Sequence, residues 1–119
     1  MWIILRNSFL SIAKRDCHED ELLVRARRKG DIERIFPQAN VKETLEYDYR
    51  YRAVLKKAAV IAAMSQCIND IDYAHFNEAI DEGDLLDAYA EVRDDLENLQ
   101  VGGAFCRHMK RNQLLGGGY

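Results

Sequence analysis

Two stretches of the chain alternate uncharged and basic residues with a period of two, "LLVRAR" at 22–27 and "YRYRAVLK" at 49–56. Successive strand side chains point to opposite faces, so each stretch describes a strand with one face covered and the other in water. In the first, Leu22, Val24 and Ala26 share a face, and Leu23, Arg25 and Arg27 share the other. In the second, Tyr49, Tyr51, Ala53 and Leu55 oppose Arg50, Arg52, Val54 and Lys56. The pattern predicts tyrosines and aliphatics turned toward a helical layer, with Arg25, Arg27, Arg50 and Arg52 on the uncovered face.

The period changes after Lys56. "KKAAVIAAMSQCINDI" has no breaker, and Val60, Met64, Cys67 and Ile71 fall on one helical face with Ile61 and Ile68 beside it. This predicts a helix with a wide buried stripe. Upstream, "WIIL" and "FLSIA" read as two strands joined by a tight turn at Arg6-Asn7-Ser8. Gly30 permits a reversal, Asp31 is placed to cap a short helix over Ile32 to Phe36, and Pro37 ends it. Val41 to Thr44 is a weak strand and Ala74 to Ile80 a short helix. Asp84 is placed to cap a last helix, Leu85 to Leu99, striped by Leu85, Tyr89, Val92, Leu96 and Leu99. Strands precede helices, which predicts an α+β fold: an antiparallel sheet of about four to five strands with helices packed on one face. Residues 1–100 are expected to form a single domain, and 101–119, ending in "LLGGGY", a mobile C-terminal tail.

A chain of 119 residues, 48% apolar and 31% charged, is long enough for one real core and too ordered in composition for a disordered segment. No run approaches the roughly 18 apolar residues of a membrane span. The start lacks a signal-peptide pattern, so a cytoplasmic protein is expected. Cys17, Cys67 and Cys106 are far apart without a CxxC pair, which suits free thiols. No glycine-rich loop or serine elbow marks an enzyme or a cofactor site. Cys17-His18, His75 and Cys106-x-His108 do not make the close pairs of a zinc site, so neither metal nor cofactor is expected.

Charge is the informative quantity. The net of −3 hides a segregation: residues 61–100 carry one arginine against 11 acids, or −10, while residues 1–60 carry 13 basic groups against 9 acids, or +4. Two binding readings arise from it, with an unrecognised enzyme as the third. In the first, the acidic helix offers Asp87, Glu91, Asp94 and Asp95 to a protein with a basic surface, as a phage or mobile-element inhibitor of anti-CRISPR or other anti-defence type would. In the second, Arg25, Arg27, Arg50 and Arg52 attract nucleic-acid phosphate. Against it stands the alternation itself, which sends the stacking tyrosines to the opposite face, leaving a solvated face paired with Glu43 and Glu46. An uncovered Trp2, Phe9 or Leu23 would offer a homodimer contact.

The blocks "MWIILRNSFLSIA", "LLVRARRKGDIERIFP", "DYRYRAVL" and "IDYAHFNEAI" resemble a group of small uncharacterised proteins of bacterial and phage genomes, over roughly residues 1–92. The resemblance implies a shared α+β fold and transfers no site. Where that group is expected to carry an Asn-Phe-Lys-like core and a later Tyr-x-x-Val-Trp, this chain has His75-Phe76-Asn77 and Tyr89-Ala90-Glu91-Val92-Arg93.

Overall fold

The alternating segments become neighbouring strands. The computed structural model describes residues 1–100, and the chain divides into two compact units, Met1–Asp81 and Glu82–Tyr119. The first holds β1 (Trp2–Leu5), β2 (Ser8–Ala13), β3 (Glu21–Ala26), α1 (Asp31–Ile35), β4 (Lys42–Glu43), β5 (Tyr51–Lys56) and α2 (Lys57–Asn69), followed by a 3-10 turn at Asn77–Ala79. The sheet is antiparallel throughout, in the order β1-β2-β3-β5-β4. The fold is α+β, with both α-helices of this unit packed on one face.

That face is the one the pattern designated. Leu10, Ile12, Val24, Ala26 and Ala53 from the sheet meet Ile32, Phe36 and Val60 from the helical side, with Tyr51 and Leu55 packed around them. Each fully buried Leu, Ile, Val or Phe here is worth about 1.5–3 kcal/mol against exposure, so this cluster carries the unit. Register depends on it, because a one-residue slip would turn the apolar set to water.

Asp31 is not the cap of α1. Gly30 precedes the helix at φ 94, and Asp31 is its first residue, 1% exposed. Its carboxylate accepts from the Phe9 N–H (3.1 Å), from Arg28 Nη2 (2.9 Å) and from Arg34 Nη1 (2.6 Å). An anion at a helix N-terminus is favoured by the dipole, and here it also ties the start of β2 to α1.

Three further expectations are corrected. β5 begins at Tyr51, not Tyr49. α2 is anchored far more narrowly than its stripe suggested: Val60 is buried, Met64 and Cys67 are half-buried, and Ile61, Ile68 and Ile71 are exposed. In the second unit α3 (Gly83–Glu97) is preceded by Glu82, so Asp84 lies within its first turn. Leu85 and Tyr89 are buried on this helix, whereas Leu96 and Leu99 are exposed. Among the described residues no helix is long and apolar enough to cross a membrane. The expected C-terminal tail lies outside the described residues.

Candidate nucleic-acid interface on the open sheet face

Cross-strand register places one row of side chains across all five strands, on the face away from α1 and α2. Lys42 opposes Arg52, Arg52 opposes Arg25, Arg25 opposes Ser11, and Ser11 opposes Trp2. With strands about 4.8 Å apart the row spans roughly 19 Å. It holds three cations, a hydroxyl and an indole that is 69% exposed. Like charges directly opposite one another destabilise a sheet, so Arg25 facing Arg52 needs a physical cause.

Part of the cause is aromatic. The 44–50 loop between β4 and β5, closed by a Thr44 N–H bond to the Arg50 carbonyl (2.7 Å), brings two tyrosines onto the arginine face. The Tyr49 ring, 7% exposed, is in cation–π contact with two guanidiniums, Arg25 at 4.6 Å and Arg27 at 4.1 Å from its centroid. Tyr47, exposed, stacks with Arg52 at 4.3 Å. Alternation placed Tyr49 with Tyr51 on the covered face. The strand starts two residues later than that, and Tyr49 belongs to the loop that folds back over the arginines.

Arg27 differs from its neighbours. It donates to both carboxylate oxygens of Asp48, at 2.8 and 3.1 Å. This hydrogen bonding raises the Arg27 pKa and lowers that of Asp48. The expected pairing with Glu43 and Glu46 does not occur among the described residues; Asp48 pairs directly with Arg27 and acts on Arg25 only at longer range. Arg25 donates to Ser11 Oγ at 2.7 Å. Neither Arg25 nor Arg52 lies within ion-pair distance of a carboxylate among the described residues, and the Nε atom of each is buried without an acceptor there. Arg50 is exposed just ahead of β5. Trp2 leans against Phe9, ring centroids 5.9 Å apart and tilted by 55°, while Leu23 is buried.

The other candidates are less organised. Asp87, Glu91, Asp94 and Asp95 are all exposed on α3, with Asp94 Oδ1 3.7 Å from Arg93 Nε. Cys17 directs its thiol to the Glu21 carbonyl (3.4 Å), and the His18 N–H donates to Glu21 Oε1 (2.9 Å), so that loop bonds to itself. Lys14 closes it by donating to the carbonyls of His18, Glu19 and Glu21. His75 is exposed, and Cys106 and His108 lie outside the described residues. No group of three His, Cys, Asp or Glu side chains converges as metal ligands among the described residues.

Reading the sequence missed Lys42, Ser11 and Tyr47. Tyr47 was within reach, since "YDYRY" continues the alternation upstream, but the loop reverses its sense. Lys42 and Ser11 join the row only through register, which no local pattern encodes. Comparison finds no matching family model, no similar curated protein and no similar solved structure, so the geometry of this face is what bears on function.

Proposed function

We propose that the protein binds single-stranded nucleic acid across the open face of its sheet. The observation that carries this reading is the Lys42–Arg52–Arg25 row, in which two directly opposed guanidiniums have no carboxylate within ion-pair distance among the described residues and share their face with tyrosines. A phosphate between Arg25 and Arg52 turns their mutual repulsion into attraction, and guanidinium geometry suits phosphate oxygens. Exposed Tyr47 and Trp2, near the two ends of the row, offer faces on which unpaired bases stack, each worth about 1–3 kcal/mol. A duplex hides those base faces. Within residues 1–81 both α-helices lie behind the sheet, so neither is presented to a major groove.

The test is fluorescence anisotropy with labelled single-stranded RNA and DNA oligonucleotides at low salt. Binding is expected to weaken as salt rises and to vanish in folded Arg25→Glu/Arg52→Glu protein. Absence of a complex at low salt, or full affinity in the double variant, would reject the reading.

A second reading has its own observation: Asp87, Glu91, Asp94 and Asp95 are all exposed on α3, beside exposed Leu96 and Leu99. Such a helix suits a protein partner with a basic surface, and an anti-defence inhibitor working by occlusion would use it so. Asp94→Lys with Asp95→Lys is then expected to weaken capture of that partner; full capture by this folded variant at low salt would dismiss the surface.

A further inference from the structure

At one end of the row the open face deepens into a hollow of about 310 Å³ between β3, β5 and β4. We infer that this hollow binds one nucleoside monophosphate, either as the phosphorylated terminal nucleotide of a strand or as a free nucleotide. The inference rests on the nucleic-acid reading of the same face and names the unit that the face grips.

The lining is sorted as such a ligand requires. Leu23 and Val54 are paired across β3 and β5 and form an apolar floor, suited to the flat face of a base. Lys42 and Arg52, paired across β4 and β5, bring two cations to one side. A terminal phosphate monoester carries between one and two negative charges near neutral pH, whereas an internal phosphodiester carries one. Lys42 and Arg52 outweigh the Asp16 carboxylate of the same lining by one charge, which favours the more highly charged chain end. Arg52 makes no hydrogen bond through its guanidinium to a described residue, so none of those residues consumes its donors. Asn40 and Asp16 supply polar groups elsewhere in the lining. An amide both donates and accepts, and a carboxylate only accepts, so a base with an exocyclic amino group meets both. Sites for small molecules commonly range over about 300–1,000 Å³, and this hollow, at the lower limit, admits one nucleotide and not two.

The experiment uses the full chain, isotope-labelled, titrated with adenosine monophosphate, adenosine and inorganic phosphate while backbone resonances are followed. Adenosine monophosphate is expected to shift Leu23, Lys42, Arg52 and Val54, and to bind roughly tenfold or more tightly than adenosine or phosphate. Arg52→Gln should remove that advantage. Val54→Trp, at a half-exposed position on the floor, should fill the hollow and abolish the shifts in protein that keeps its folded spectrum. Equal affinity for the three ligands, or undiminished binding to the folded Val54→Trp protein, would overturn the inference. Oligonucleotides with and without a terminal phosphate separate the sources: a phosphate-dependent gain identifies a strand end, and saturation by the mononucleotide without that gain identifies the free ligand. Oligonucleotides that bind and are lost with Arg25→Glu/Arg52→Glu, while the mononucleotide never saturates, would sink the hollow and leave the sheet-face reading standing.

Discussion

Asp31 is the residue on which the start of β2, the β3–α1 connection and α1 converge. Its side chain is buried while Arg28 and Arg34 are each about one-third exposed, so the arginines can rehydrate when the carboxylate is removed, but the buried site cannot. Asp31→Ala is therefore expected to cost about 2–3 kcal/mol, at the upper end of the range for stranding a buried hydrogen-bonding group. Chemical denaturation would show it, and a loss under 1 kcal/mol would mean that water replaces the carboxylate at the Phe9 N–H. Asp48 offers a contrast. Its pKa is lowered by hydrogen bonds from Arg27, so its contribution is full above the ordinary aspartate value near 3.9 and fades as pH falls through the lower folded value. Asp48→Asn should accordingly flatten the acid limb of the stability–pH curve; an unchanged limb would show that the pair contributes nothing, as exposed pairs often do. The sequence pointed to Asp31 as a cap and left Asp48 unmarked. A carboxylate near a helix start is a local signal, whereas the Asp48–Arg27 pair spans 21 residues and exists only because a loop folds back.

The elements were legible where a single face decides them. Val24, Ala26, Ala53 and Leu55 obey a period of two because one side of the sheet is dry, and the strands result from that. α2 was legible as a helix and misread as a buried one. Alanine and isoleucine at 57–71 carry helical periodicity, yet periodicity says nothing about how many neighbours reach the face. Val60 alone is fully buried, so Val60→Ala is expected to cost about 2 kcal/mol, from lost transfer energy and a residual cavity. Ile61→Gln and Ile68→Gln should each fall within about 0.5 kcal/mol of the parent, as exposed substitutions do. Thermal melts of the three variants decide the matter. Losses above 1 kcal/mol for both isoleucine variants would show that the α2 face is covered in solution, by another part of the chain or by a second copy. The same limit applies to the arginine row: alternation located Arg25 and Arg52, but only pairing register brought Lys42, Ser11 and Trp2 into line with them.

Charge acts at the scale of the whole molecule, and it opposes the local site. The chain carries −3 in all, with −10 between residues 61 and 100, while the site concentrates Lys42, Arg52 and Arg25 in one row. Near 0.15 M salt the Debye length is about 8 Å, so a bound phosphate responds chiefly to the side chains that touch it. At 0.01 M it is about 30 Å, and the acids of the chain act together on an approaching polyanion. Three neutralised phosphates on a single strand give a slope near −2 for log affinity against log salt, from about −0.7 for each. Arg52→Gln should reduce that slope by roughly 0.7 while lowering affinity for every sequence. Asp94→Lys with Asp95→Lys takes the net charge from −3 to +1 and should raise nucleic-acid affinity more at 0.01 M than at 0.2 M, because salt screens the added charge. Anisotropy titrations of parent and variants across that salt range give both results. A slope near zero would exclude the phosphate row as the binding surface, and a gain as large at 0.2 M as at 0.01 M would place α3 in direct contact with the nucleic acid.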